Sequence, residues 1–302
     1  MRWYHLFFCG LCMGAADLVP GVSGGTMALV LGIYEPFIQS LCTLDRKAFS
    51  YFIRLRWKRF LQHVAWPFLC ALGFGMLAAI FTLAPLFHFL LNDEIYRNYL
   101  YAFFMGLVIA SSFFCGRKIQ IRTPKVSLLF GIGALVAGLI TLTPILFSVS
   151  LSPPDSFPSL LCWMFFSGLL GIFAMLLPGI SGSYVLTILQ SYPIIIGALA
   201  ALSTGMTHLS LPVDSFFIIV SLGAGIVIGA LLFSRFIRWL LSTFHDLTMA
   251  CMVGFMIGAL PAVWPFWIGL TVEQIVVTCA WVVAGALIVV FVEKISQPAY
   301  VK

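Results

Sequence analysis

The chain has 302 residues, of which 62% are hydrophobic and 9% are charged, with a formal net charge of +6. A mean hydropathy of +1.11 excludes a soluble globular domain and indicates a polytopic membrane protein, since each crossing of the hydrocarbon needs about 20 mostly apolar residues. The basic residues cluster in short segments between apolar stretches, so the positive charge does not indicate nucleic-acid binding.

The chain begins with MRWYHLFFCGLCMG. This segment lacks a charged region of useful length and a small-residue cleavage site, so we expect the N-terminus to be retained rather than removed as a signal peptide. Cys9 and Cys12 form a C-x-x-C pair, but no second pair or histidine cluster accompanies them. The pattern therefore predicts no metal site, and we expect no cofactor.

The first long apolar region, residues 6–42, is interrupted by PGVSGGT at 20–26. Proline ends or starts a helix, and Gly21, Gly24 and Gly25 allow a ligand to approach the backbone closely. Ser23 and Thr26 can cap a helix that begins at about Thr26, whose free N–H groups carry the positive end of the helix dipole. The sequence thus predicts half of an anion site, formed by Pro20, Gly21, Ser23, Gly24, Gly25 and Thr26.

Two carboxylates, Asp17 and Glu35, flank this motif. An acid inside a membrane costs a few kcal/mol by insertion scales, so it requires a role or a partner. We predict that Asp17 and Glu35 carry protons or bind a coupling cation beside the anion site. The alternative is an acid at the membrane interface, and for Glu35 the two interpretations weigh equally.

A basic segment follows at 46–59, where six Lys and Arg residues alternate with aromatic and aliphatic residues. This pattern is typical of an amphipathic helix on the anionic inner leaflet, and a role in topology and surface anchoring is favoured. Predicted membrane spans then follow at 64–91, 98–116 and 126–149.

The second half of the chain repeats the first. A second motif, LLPGISGSYV at 176–185, lies in the apolar region 160–202, and further spans are predicted at 215–234, 247–266 and 275–292. PGVSGGTMALVLGIYEP at 20–36 returns as PGISGSYVLTILQSYPI at 178–194, and LGFGMLAAIF at 72–81 returns as LGAGIVIGAL at 222–231. We expect a single transmembrane domain over 1–302, built from repeats of about 1–150 and 151–302. The second motif supplies the other half of the anion site, through Pro178, Gly179, Ser181, Gly182 and Ser183.

The distribution of positive charge favours one topology. If each motif segment enters and leaves the membrane on the same side, fifteen of the 16 Lys and Arg residues lie on one side, with Arg97 as the exception. The positive-inside rule makes that side cytoplasmic and places both termini there. The predicted fold is an all-α polytopic membrane protein with an inverted repeat, each half having one re-entrant helical hairpin plus three transmembrane helices. The two motifs are expected to meet near the bilayer midplane.

PGVSGGT, preceded by GAADLV and followed by LGIYE, occurs together with PGISGS and with FMIGALPAVWPF near the C-terminus. In these motifs the chain resembles the polyprenyl-phosphate translocase family of bacterial membrane proteins. The resemblance implies a flippase that returns undecaprenyl phosphate from the outer to the inner leaflet of the bacterial cytoplasmic (inner) membrane, which recycles the lipid carrier of cell-wall synthesis. It implies that undecaprenyl phosphate and membrane lipid are the partners, and it carries Asp17, Glu35 and both motifs as site residues. Gln190 and Pro193 replace Gly32 and Glu35 in the second copy, so no acid is transferred to that half.

The motifs are also similar to P-G-x-S-R-S of the undecaprenyl-pyrophosphate phosphatases. Phosphoryl transfer needs a cation that stabilises the developing charge, and Gly24 and Gly182 occupy the positions of that arginine. A transporter that uses alternating access, coupled to protons or another cation, is therefore preferred to an enzyme. A phosphatase-like membrane enzyme is the alternative, a channel for small anions is a third class, and a homodimer is left open.

Overall fold

A computed structural model describes residues 2–19, 22–120, 123–146, 152–207, 212–264 and 271–296. Within these ranges the chain forms α-helices, one 3₁₀ helix and connecting segments, without a β-strand. The all-α fold predicted from the sequence is thus confirmed. Pro20, Gly21, Arg122, Lys302 and parts of the loops 150–159 and 203–214 lie outside the described residues.

The helices of the first half fall into three short helices around the first motif, two short helices in the basic segment and three long helices. In chain order they are α1 (Trp3–Asp17), α2 (Gly24–Val30), α3 (Tyr34–Cys42), α4 (Arg46–Ile53), α5 (Trp57–His63), α6 (Trp66–Asn92), α7 (Glu94–Arg117) and α8 (Pro124–Leu146). The second half follows the same order without the basic helices. Its helices are α9 (Phe157–Leu176), α10 (Gly182–Ile188), α11 (Ser191–Thr207), α12 (Val213–Thr243), α13 (His245–Gly258), a 3₁₀ helix (Leu260–Val263) and α14 (Val272–Ser296).

Among the described residues, seven helices are long and apolar enough to cross a membrane. Six of them, α6, α7, α8, α12, α13 and α14, correspond to the predicted spans. The seventh is α9, which leads into the second motif. Helices α10 and α11 form a pair bent by 102°, the geometry of a broken span or a re-entrant loop. The chain is therefore a multi-pass membrane protein.

Four helix pairs form the scaffold, and glycines determine how closely they approach. Helix α1 packs on α6, α9 on α12, α7 on α14 and α8 on α13. In each pair, a Cβ added to a glycine would overlap a backbone carbonyl of the partner helix, as at Gly10, Gly168, Gly106 and Gly133. Small residues allow this close packing in a bilayer, where van der Waals contact replaces the hydrophobic effect between helices.

A left-handed residue separates the short helices in each half. Gly32 lies between α2 and α3 with φ +68°, and Gln190 lies between α10 and α11 with φ +53°. Glycine adopts this conformation readily, whereas glutamine does so at a steric cost. Each motif segment therefore turns at the same place in its half.

Charged ends of distant helices contact each other. Arg235 near the end of α12 donates from Nη2 to the carbonyl oxygen of Leu44 at 2.9 Å. The Nζ atom of Lys118, after α7, lies 3.6 Å from Oε1 of Glu293 near the end of α14. These contacts bring together segments that the charge pattern places on one side of the membrane.

Candidate functional site

The two motifs contact each other through hydrogen bonds. We call residues 22–26 the first tip and residues 177–183 the second tip. The backbone N–H of Gly179 donates to Oγ1 of Thr26 at 2.8 Å, and Ser23 Oγ donates to the carbonyl oxygen of Met175 at 3.3 Å. Ser23 and Thr26 are both buried. Two hydroxyls of the first motif thus bind the backbone of the second.

The first tip is closed by Ser23 and by Asp17 at the end of α1. Helix α2 begins at Gly24, two residues before the predicted start at about Thr26. The reason is that Ser23 Oγ accepts the N–H of Gly25 at 3.1 Å and Asp17 Oδ1 accepts the N–H of Gly24 at 2.7 Å. These bonds satisfy the first two N–H groups of the helix, which leaves them no donor for a ligand.

The second tip borders a cavity of about 200 Å³, called the tip cavity below. Ser181 precedes α10 without capping it, and its hydroxyl oxygen lies 2.8 Å from that of Ser183. The cavity is lined by Asp17, Gly168, Gly171, Ile172, Met175, Ser181, Gly182, Ser183, Leu186 and Ile226. Two hydroxyl groups and the start of α10 are therefore available to a ligand here.

Asp17 is the only ionisable residue among the lining residues just named. Its Oδ2 is buried and has no hydrogen-bond partner within the described residues. A protonated carboxyl can donate from this atom to an oxygen of a ligand, whereas a carboxylate repels an anion. On these grounds a protonated Asp17 suits an anionic ligand in the tip cavity better than an ionised one does.

Two glycines, Gly24 and Gly182, keep the site compact. A Cβ on Gly24 would lie 2.6 Å from Asp17 Oδ2, and a Cβ on Gly182 would lie 2.7 Å from the carbonyl oxygen of Gly171. No arginine side chain fits at either position without displacing its neighbours. Among the described residues that line the tip cavity there is no Lys or Arg, the residue types that stabilise charge in phosphoryl transfer.

The remaining motif residues have packing contacts. Gly25 approaches Met175, since an added Cβ would lie 2.8 Å from its carbonyl oxygen. Pro178 and Gly179 are buried, and Gly179, with φ +95°, lies against the backbone of Phe255 and Met256 in α13. Pro20 and Gly21 lie outside the described residues. Of the described positions, Gly25, Pro178 and Gly179 pack against neighbouring backbone or are buried, and they do not line the tip cavity.

Glu35 lies apart from Asp17 and does not line the tip cavity. Its Oε1 is 3.4 Å from Nε2 of His245 at the start of α13, and about half of each side chain is exposed. The other ring nitrogen of His245 lies 3.3 Å from Asp246 Oδ1. The two acids predicted to act beside the anion site are therefore at two places, Asp17 at the tip cavity and Glu35 in a half-exposed ionic cluster.

A second cavity, called the apolar cavity, has a volume of about 420 Å³ and lies between α8, α12 and α13. It reaches Leu177 of the second tip, and its other walls include Phe233, Ile237, Met252 and Phe255. Its lining is apolar except for Thr248 and Cys251. An extended hydrocarbon chain is the kind of ligand that such a cavity can hold.

Sequence reasoning missed the contribution of Tyr34. This residue is fully buried, and its hydroxyl donates to the carbonyl oxygen of Leu176 at 2.9 Å. It thereby links the start of α3 to the end of α9. A tyrosine within an intramembrane motif is a usable signal, because its buried hydroxyl requires a partner.

Within the described ranges, no group of three or more His, Cys, Asp or Glu residues could hold a metal ion. The donor set at the tips consists of hydroxyls, backbone N–H groups and one carboxyl group. This set suits an oxygen-rich anion.

Two curated bacterial proteins are similar to this chain over most of its length. A polyprenyl-phosphate transporter of Vibrio cholerae is 32% identical over 266 residues, covering 88% of this chain and 79% of the relative. A polyprenyl-phosphate transporter of Staphylococcus aureus is 31% identical over 274 residues, covering 87% of each chain. No solved structure gives a significant match.

The relatives are named as transporters. This agrees with the prediction from the sequence, where a transporter is preferred to an enzyme because Gly24 and Gly182 stand where the phosphatase motif has arginine. Residues 13–293, which contain both motifs, six candidate spans and all but the last residue of the seventh, match one protein family. The chain belongs to the undecaprenyl phosphate translocase-like family.

Proposed function

We propose that this protein is a flippase that returns undecaprenyl phosphate from the outer to the inner leaflet of the bacterial cytoplasmic membrane. The observation that carries the proposal is the tip cavity, which is lined by two serines with adjacent hydroxyls and by Asp17, whose Oδ2 has no partner among the described residues. Family membership and the names of both relatives support a polyprenyl phosphate as the substrate.

In this proposal the phosphate head binds at the second tip. Ser181 and Ser183 donate hydrogen bonds to phosphate oxygens, the start of α10 adds N–H groups, and protonated Asp17 donates from Oδ2. The described lining contains no arginine or lysine. A site of this kind binds and releases a phosphate without stabilising the transition state of its cleavage.

The prenyl chain of the lipid extends into the apolar cavity and the surrounding bilayer. Leu177 belongs to the second tip and lines this cavity, so the phosphate head and the first isoprene units can bind on opposite sides of one short segment. Burial of hydrocarbon in the cavity replaces contact with lipid tails and therefore adds selectivity more than affinity.

We infer that the two halves are inverted repeats that move relative to each other. The matching helix pairs and the left-handed residues Gly32 and Gln190 at corresponding positions support this inference. Rocking of one half against the other exposes the tips alternately to the two leaflets. We further propose that the side carrying most of the basic residues, with both termini, faces the cytoplasm, which the positive-inside rule supports.

Coupling to protons follows from the charge of the substrate. A phosphomonoester carries about −1.5 to −2 at neutral pH, and inward movement of one negative charge costs about 2.3 kcal/mol per 100 mV of inside-negative potential. A proton carried by Asp17 offsets part of this cost. Glu35 and His245, half-exposed and 3.4 Å apart, form the proposed proton relay to water.

The test uses the purified protein in liposomes that carry polyprenyl phosphate in one leaflet. We expect protein-dependent exchange between leaflets, accelerated by an imposed proton gradient, without release of inorganic phosphate. Phosphate release without exchange would establish the phosphatase-like alternative instead. If neither Asp17→Asn nor Glu35→Gln changes the rate of lipid exchange under a proton gradient, these acids do not couple transport to protons.

A further inference from the structure

A third cavity, called the basic cavity, lies at the surface between the basic segment and α12 and has a volume of about 700 Å³. It is lined by Asp45, Arg46, Lys47, Ser50, Tyr51 and Arg235. These residues come from both halves of the chain, and none of them lines the tip cavity or the apolar cavity. The site is therefore distinct from the one to which we assign transport.

Three cations and one acid line the basic cavity, and the acid is already engaged. Asp45 Oδ1 accepts the N–H groups of Lys47 and Ala48, each at 2.9 Å, and lies 2.9 Å from Nε2 of His63. Burial by itself raises the pKa of Asp45, but these backbone bonds and His63 outweigh it, so its pKa lies below the usual range. Asp45 thus stays ionised while it caps α4, and it leaves Arg46, Lys47 and Arg235 to face the cavity.

Arg235 is held in position from the other half of the chain. Its guanidinium donates to the carbonyl oxygens of Leu44 and Leu231. Guanidinium carries five N–H donors, so these two bonds fix its plane and leave donors for a ligand. Ser50 and Tyr51 add hydroxyl groups, and the Tyr51 ring packs edge-on against His63 with the centroids 5.9 Å apart.

The surface next to the basic cavity is built for lipid contact. Phe49, Phe52 and Trp57 on α4 and α5 expose 64%, 47% and 49% of their surface. Aromatic residues in this density beside clustered Lys and Arg are typical of the membrane interface. A ligand of the basic cavity therefore lies at headgroup depth, with its hydrocarbon part able to enter the bilayer beside these rings.

We propose that the basic cavity binds the phosphate headgroup of an anionic glycerophospholipid, with Arg46, Lys47 and Arg235 contacting the phosphate and Ser50 and Tyr51 contacting the headgroup hydroxyls. The bound lipid joins α4 of the first half to α12 of the second. It is thus placed to influence the relative position of the two halves.

The test measures phosphatidylglycerol and phosphatidylcholine binding to the full-length protein in detergent by native mass spectrometry. We expect preferential retention of phosphatidylglycerol. Removal of one cation from the basic cavity, in Arg46→Gln, Lys47→Gln or Arg235→Gln, is expected to weaken phosphatidylglycerol binding roughly fivefold. Arg235→Lys should have an intermediate effect, because lysine keeps the charge but lacks the planar guanidinium group.

Matched controls come from the same basic segment. Arg54, Arg56 and Lys58 are exposed and do not line the basic cavity, so their substitution by Gln is expected to change phosphatidylglycerol binding less than about twofold. If control and cavity variants lose phosphatidylglycerol binding equally, the lipid binds to a diffuse basic surface and the proposal is overturned. Equal retention of phosphatidylcholine, or displacement of the lipid by an equal concentration of inorganic phosphate, would overturn the lipid assignment. Lipid binding is read out without transport, so its result is independent of the proposed flippase activity.

Discussion

Asp17 holds the backbone N–H of Gly24 through Oδ1 at 2.7 Å, while its Oδ2 is buried without a partner among the described residues. A buried polar atom without a partner costs about 1–3 kcal/mol. One oxygen of the carboxyl group thus binds the backbone of the first tip, and the other has no such partner, in a residue that lines the tip cavity. This division predicts that the two roles can be separated by substitution.

Asp17→Asn preserves the acceptor for Gly24 and replaces the titratable oxygen by a permanent donor. In the wild type, binding that takes up one proton should weaken by up to about tenfold per pH unit as the pH rises. In Asp17→Asn, polyprenyl phosphate binding should persist at high pH and lose this slope. Titration of the lipid at several pH values measures the effect.

Glu35→Gln serves as the control for Asp17→Asn because Glu35 does not line the tip cavity. It should retain the wild-type pH slope of binding. An Asp17→Asn variant that binds with an unaltered slope would show that Asp17 is not the residue that takes up the proton.

Two features of the site should be sensitive to different substitutions. One is the contact between the two tips, and the other is ligand binding in the tip cavity. Thr26→Val removes the acceptor of the buried Gly179 N–H, which should lower the free energy of unfolding by about 1–3 kcal/mol. Ser183→Ala removes a half-buried hydroxyl that lines the cavity. It should weaken lipid binding with a change in stability below about 1 kcal/mol.

Thermal unfolding in detergent and lipid titration of the same two variants provide the comparison. The assignment of the second tip as the binding side fails if Ser183→Ala binds the lipid normally while Thr26→Val, at a temperature where it is folded, does not.

Much of the fold could be predicted because membrane spans are specified by local composition. Six predicted spans recur as helices, and the left-handed Gly32 and Gln190 lie at corresponding positions of the aligned motif segments. The extent of α9 was harder to predict. The apolar region before the second motif is long enough for a full membrane span, but it is equally compatible with one arm of a re-entrant hairpin. Local hydropathy does not distinguish the two.

The asymmetry between the tips could not be predicted from the motifs alone. The first tip is closed by Asp17, which the second half replaces with Met175, and Ser23 is bound to backbone carbonyls of residues about 150 positions away. Carbonyl acceptors carry no sequence signal, because every residue has one. The pairing of Glu35 with His245 likewise depends on how α3 meets α13, which charge patterns along the chain do not encode.

The pairing of α9 with α12 provides a matched test of the glycine scaffold. On α12, a Cβ at Gly225 would overlap the carbonyl oxygen of Phe165, whereas a Cβ at Gly223 would meet no atom within 4 Å. Gly225→Ala should therefore lower the free energy of unfolding by about 1–3 kcal/mol through overpacking. Gly223→Ala should leave it unchanged or raise it by up to about 1 kcal/mol, because alanine favours the helix. Similar unfolding temperatures for the two variants would contradict the close approach of these helices.

The left-handed turns at Gly32 and Gln190 test whether the two halves bend for the same backbone reason. A Cβ on Gly32 would meet no atom within 4 Å, so the cost of Gly32→Ala comes from its φ of +68° alone. That cost should be about 1–2 kcal/mol. Gln190, with φ +53°, already bears this strain, and Gln190→Gly should stabilise the protein by about 0.5–1 kcal/mol.

The two substitutions should thus shift the unfolding temperature in opposite directions, although both act at the junction of two short helices. The double variant should lie between Gly32→Ala and the wild type, since the sites belong to separate motif segments and their effects should add. Destabilisation by Gln190→Gly would mean that the glutamine side chain, rather than the backbone conformation, maintains the turn between α10 and α11.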